Sequence, residues 1–137
     1  MVTSYEQVAG EEVIVNREEK LEILKELDDL PEEVYDELLV MLSASLDDHM
    51  LQIEQALAQG DADHGRAQAH AMKGAAANLR ILAVQERAAA VEQAFQDRTD
   101  SQGLQLLVQE LRKAVLQLAA EVATEEHDKR GRDACCQ

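Results

Sequence analysis

Leu104, Val108, Leu111, Val115, Leu118 and Val122 follow one another in steps of four and three. That spacing returns each side chain to one face of an α-helix and predicts a long amphipathic helix with an apolar seam. The same period recurs upstream. Val84, Ala88, Val91 and Phe95 predict a helix over about 82–97, and Ala69, Met72, Ala76 and Leu79 form the inward stripe of one over about 61–78. Val34, Leu38, Met41 or Leu42, Leu46, Ile53 and Leu57 predict a longer helix over about 31–59. A shorter helix starts at Asn16, with Leu21, Leu24 and Leu27 as its apolar face.

The punctuation between these patterns has physical causes. Asn16 with Glu19 three residues later has capping-box character. Pro31 ends the first helix, because proline disfavours the α region for the residue before it, and it suits the first turn of the next. Gly60 stops the second helix and Asp61 can cap the third. Asp100-Ser101-Gln102-Gly103 separates the last two. Val13-Ile14-Val15 is either a short extended piece or a segment packed on the helices. The chain thus divides into a partly ordered N-terminal segment (1–15), a helical bundle (16–124) and a charged tail (125–137) that contains Gly131 and is expected to be disordered. Short connections make neighbouring helices antiparallel. The expected fold is all-α: an antiparallel up-down-up-down four-helix bundle with an additional short N-terminal helix. No internal repeat is visible.

Composition narrows the functional classes. At 137 residues the chain is one domain, with 46% apolar residues, 2% aromatics and one proline. A chain of this length buries roughly two-thirds of its unfolded surface and needs no staple. It leans on Leu, Ala, Glu and Gln, all strong helix formers. The net charge of −15 repels nucleic acid and anionic membranes, and the shortage of aromatics removes the platforms on which unpaired bases stack. No apolar run is long enough to span a bilayer, and MVTSYEQVAGEE lacks the basic and apolar regions of a signal peptide. Cys135 and Cys136 are adjacent in the polar tail and fit no metal or disulfide framework, so they read as exposed thiols in a reducing cytoplasm.

Candidate chemistry concentrates on the third helix. In a chain with 28 acids, residues 64–85 contain no Asp or Glu. Arg66, Lys73 and Arg80 are spaced seven apart in that stretch, so within a continuous helix they would share a side and could hold an anion. His70 lies off the inward stripe and shares its face with Lys73 at i+3 and Gly74 at i+4. A neutral imidazole nitrogen is a nucleophile, and an ammonium one turn away can neutralise phosphoryl oxygens. Glycine inside a helix costs about 1 kcal/mol relative to alanine. Among neighbours as small as Ala67, Ala71, Ala75 and Ala77 it gives a reacting partner steric clearance. The plainer readings are an Ala-rich helix that lacks acids by chance, close helix packing at Gly74, and an idle surface histidine.

Ala69-His70-Ala71-Met72-Lys73-Gly74 resembles the H-x-x-K-G signature of histidine-containing phosphotransfer (HPt) domains. Ala56-Leu57-Ala58-Gln59-Gly60-Asp61 is similar to the A-x-x-x-G-D turn that precedes the family's active helix. Ala76, Asn78 and Leu79 match positions after it, and Glu92 sits where the family often closes its next helix with Leu-Glu, here with Val91 in place of the leucine. The similarity spans about residues 30–120 of the chain. The resemblance implies a phosphocarrier of a two-component phosphorelay. His70 would be the phosphoacceptor through Nε2, Lys73 would stabilise the phosphoryl group, and Gly74 would give access. The donor would be an aspartyl phosphate of a response-regulator receiver domain and the acceptor the aspartate of another receiver, free-standing or within a hybrid histidine kinase. The assisting Mg²⁺ would sit on the receiver, with no cofactor or metal on this chain and no acid cluster beside His70 in sequence. Arg66, Ala77 and Arg80 would face the partner. One departure is Arg80, which stands where the family usually has glycine and implies a different local turn or a smoother helix.

Other patterns are weaker. Gly60-x4-Gly65 before Arg66 lacks the Lys-Ser/Thr of a P-loop and follows a helix rather than a strand. No glycine-rich lid suggests ATP binding, so the chain would be a phosphotransfer intermediate and not an autonomous kinase. His49, after Asp47-Asp48, reads as a solvated or boundary residue or else as a partner contact. Asp61 with His64, and His127 after Glu125-Glu126, complete no metal site. Two further classes stay open: a receiver-binding helical module without phosphotransfer, and a structural or oligomerising helical bundle.

Overall fold

The computed structural model describes residues 13–136, with side chains described for 13–124. Among the described residues the protein is all-helical, without strands: α1 (Arg17–Glu26), α2 (Glu32–Gln59), α3 (Ala62–Asn78), α4 (Leu82–Gln96) and α5 (Ser101–Cys136). The caps are those the sequence specifies. The Asn16 side chain accepts from the Glu19 N–H at 2.8 Å, and the Asp61 side chain accepts from the His64 N–H at 3.1 Å. Gly60 ends α2 in the left-handed region at φ 69°, where a glycine carries no Cβ penalty.

Four helices close a ring of contacts, α2 against α3 and α5, and α4 against α3 and α5. The stripes expected on α3, α4 and α5 all turn inward. Ala69, Met72, Ala76, Val84, Ala88, Val91, Leu111 and Leu118 are fully enclosed. A continuous apolar core of this kind supplies most of the folding free energy of a helical domain.

Two stripes are rotated from the expected register. On α1, Leu21 points to solvent, while Lys20, Ile23 and Leu24 are buried. Lys20 turns inward because its ammonium lies 2.9 Å from Glu32 and 2.6 Å from Asp36, so its charge is paired where its stem is covered. On α2, Val34 and Met41 are exposed and Leu38 is half-buried, while Tyr35, Leu39 and Leu42 face the core. Tyr35 sets this rotation. Its ring is fully buried and its hydroxyl donates to the Leu79 carbonyl at 2.8 Å, tying the start of α2 to the end of α3.

Ile14 is buried, and the Ile14 and Val15 N–H groups donate to the two carboxylate oxygens of Glu121 at 2.8 and 2.9 Å. Of the two readings open for Val13–Val15, the segment therefore packs on the helices. Residues 1–12 lie outside the described residues. At the other end α5 runs on to Cys136. Glu, Ala, Lys and Arg there are good helix formers and no proline interrupts them. The side chains of 125–137, including His127, Cys135 and Cys136, lie outside the described residues. No helix of the described residues is long and apolar enough to cross a membrane.

Candidate functional site

On α3, burial of Gly65, Ala69, Met72 and Ala76 fixes the helix rotation. His70 follows Ala69 by one residue, a turn of about 100° away from the core. Its side chain is accordingly 67% exposed. Lys73 is half-buried beside it, and Gly74 lies at the surface.

The side chain that completes the group comes from α4. There Val91 and Ala88 are buried, which places Glu92 at the edge of the α3–α4 seam with 15% of its side chain exposed. One Glu92 oxygen lies 2.9 Å from His70 Nδ1 and the other 2.7 Å from the Lys73 ammonium. The hydrogen bond from Lys73 does most to hold the Glu92 carboxyl below the usual range, and His70 adds to it against the opposing effect of burial. Glu92 is therefore a carboxylate, which can only accept. The bond assigns the ring proton to Nδ1 and leaves the lone pair of the neutral imidazole on Nε2. No residue among those described hydrogen-bonds that nitrogen.

The two α3 glycines have opposite surroundings. A Cβ on Gly74 would have nothing within 4 Å, so this glycine serves no helix packing and leaves open space one turn from His70. A Cβ on Gly65 would overlap the Phe95 ring, so that glycine is the close-packing one.

The remaining candidates are placed differently. Arg66 is exposed, one turn before His70, and makes no hydrogen bond or ion pair among the described residues. Ala77 is half-buried. Arg80 does not continue the strip of cations, because α3 ends at Asn78. A smoother helix does not run through this position. Arg80 itself takes the left-handed conformation at φ 60°. The Ile81 N–H bonds the Ala76 carbonyl at 3.0 Å and the Arg80 N–H bonds the Ala77 carbonyl at 3.1 Å, closing the helix end in a Schellman motif. The guanidinium reaches the Ala77 carbonyl at 3.2 Å and Glu26 at 3.5 Å, so it links α3 to α1.

His49 and His64 are half-buried and pair with glutamines across the α2–α3 seam, His49 with Gln68 at 2.8 Å and His64 with Gln52 at 3.0 Å. Among the described residues no three His, Cys, Asp or Glu side chains come together as a metal site.

Glu92 is the residue that sequence reasoning did not assign to the site. Its match to the position where the family often closes its next helix with Leu-Glu was visible. That it rather than Glu86, the other acid of α4, meets His70 depends on how α4 rolls against α3.

The family model described as Hpt domain matches residues 37–129. A search of curated proteins and a search of solved structures each returned no match.

Proposed function

The chain belongs to the Hpt domain family, and from that membership we propose that it is a phosphocarrier whose phosphoacceptor is Nε2 of His70. The observation that carries this reading is the exposed ring held through Nδ1 by Glu92, with Nε2 unoccupied. A receiver-domain aspartyl phosphate is the donor. The Nε2 lone pair attacks phosphorus, the acyl phosphate P–O bond breaks, and the receiver carboxylate leaves with that electron pair. The imidazole keeps its Nδ1 proton, and the positive charge it gains lies against the Glu92 carboxylate.

Lys73 has further N–H donors beyond its bond to Glu92, and these stabilise the phosphoryl oxygens. Gly74 admits the donor. Arg66, Ala77 and Arg80 border this face and meet the receiver. Transfer to a second receiver, or to one within a hybrid histidine kinase, reverses the same step. Mg²⁺ acts from the receiver's acidic pocket, and the relay operates in the cytoplasm.

The same reading takes α2–α5 as an antiparallel up-down-up-down bundle with α1 as the added helix. Support comes from the brief connections at 60–61, 79–81 and 97–100 and from the ring of helix contacts.

Incubation with a phosphorylated receiver domain tests the function. Radiolabel is expected on His70, and a His70→Gln variant that accepts phosphate as well as the wild type would end the proposal.

A further inference from the structure

Around His70 the positive charges are not equivalent. Lys73 is 2.7 Å from Glu92, and the carboxylate offsets its charge. Counting a neutral imidazole, the trio of His70, Lys73 and Glu92 carries no net charge. An arriving phosphoryl group brings roughly two negative charges to this neutral cluster. Arg66 is the cation left uncompensated. It is exposed, has no partner among the described residues, and lies in the acid-free stretch 64–85 of a chain whose net charge is −15.

Helix geometry brings it to the same place. Arg66 precedes His70 by four residues, so their Cβ atoms stand about 5–6 Å apart on one face. Side chains on a helix lean toward its N-terminus, so the His70 ring extends over the turn that carries Arg66, while the Lys73 ammonium meets the same Glu92 carboxylate as the ring. A guanidinium fork from that side matches two phosphoryl oxygens at once, which a single ammonium does not.

We propose that Arg66 binds the phosphoryl group itself at His70, as the free cation of the site, in addition to bordering the receiver. This rests on the assignment of His70 as phosphoacceptor. Its test therefore uses phosphoramidate, a small donor with no protein surface. Nε2 of His70 attacks phosphorus and an Nε2–P bond forms. The P–N bond of the donor breaks, and ammonia leaves with the proton its nitrogen already held. Nδ1 keeps its proton.

The full chain, its Arg66→Gln and Arg66→Lys variants, and His70→Gln as the unlabelled control are labelled side by side at low and high ionic strength. Circular dichroism confirms that each is folded. Arg66→Gln is expected to label about tenfold more slowly than wild type, with partial recovery in Arg66→Lys and a rate that responds less to salt. Equal labelling of Arg66→Gln and wild type overturns the inference. So does a defect seen with a phosphorylated receiver but not with phosphoramidate, which returns Arg66 to a purely docking role. Failure of wild type to label at His70 with either donor instead overturns the phosphocarrier reading, and this inference with it.

Discussion

The His70 Nδ1 and a Glu92 carboxylate oxygen lie 2.9 Å apart across the α3–α4 seam, joining residues 22 positions apart in the chain. The same carboxylate holds Lys73 with its second oxygen. One buried-edge acid thus sets the tautomer of the imidazole and the resting partner of the ammonium. An exposed histidine without such a tether would divide its proton between two nitrogens and its ring between rotamers.

Glu92 should couple stability to acid pH. Its carboxyl titrates below the ordinary value of 4.5, so the native state binds fewer protons there than the unfolded chain. Its contribution is complete above 4.5 and is lost as pH falls through the lowered value. Thermal melts of wild type and Glu92→Gln should differ near neutrality and converge in acid. Glutamine offers Nδ1 an acceptor without charge, so labelling of His70 should slow several-fold while the fold persists. Parallel Tm-versus-pH curves would count against this role.

Gly74 and Gly65 should respond oppositely to alanine. Gly74→Ala enters open space in an exposed helix and should stabilise the protein by about 0.5–1 kcal/mol. A bulkier Gly74→Gln should stay folded yet accept phosphate more slowly from a receiver. Gly65→Ala must displace the Phe95 ring and should cost about 1–3 kcal/mol. Urea denaturation of the three variants, with transfer rates, separates clearance from packing.

Arg80→Gly should raise the urea midpoint. The left-handed conformation at φ 60° costs a residue with a Cβ about 1–2 kcal/mol, which glycine avoids. The ion pair lost to Glu26 is 3.5 Å long and largely solvated, worth about 0–1 kcal/mol. A lower midpoint would show that the link to α1 outweighs the strain.

Tyr35 should ionise late. Burial pushes its hydroxyl up to about 12, partly countered by the charge of Lys20. Because the folded value lies above the ordinary 10, its contribution to stability is complete below 10 and is lost as pH rises toward 12. Ultraviolet titration should show this delayed phenol. Tyr35→Phe, which strands the Leu79 carbonyl, should cost roughly 1–2 kcal/mol by urea denaturation.

Periodicity located the helices because an apolar stripe every three to four residues is a property of one segment alone. It located the inward faces of α3, α4 and α5 for the same reason. It misjudged α1 and the start of α2, where a charged and a hydroxyl-bearing side chain, Lys20 and Tyr35, are buried. Such burial is favourable only when partners elsewhere in the fold satisfy the polar atoms, and a single-segment pattern cannot see those partners. The left-handed conformation of Arg80 was not legible, because a non-glycine residue at positive φ is rare. The Schellman bonds and the side-chain link to Glu26 hold it there.

The sequence by itself determined the helical class, the caps at Asn16 and Asp61, the stop at Gly60, and the placement of His70, Lys73 and Gly74 on one helical face. All of these follow from bonds and spacings within a few residues. Tertiary structure decided that Glu92 reaches His70 and Lys73, that Gly74 is open while Gly65 is closed, and that Arg66 alone of the three cations lacks a partner. Each of these depends on which face of one helix meets which face of another. That choice minimises exposed apolar area over the whole chain, and no local stretch encodes it.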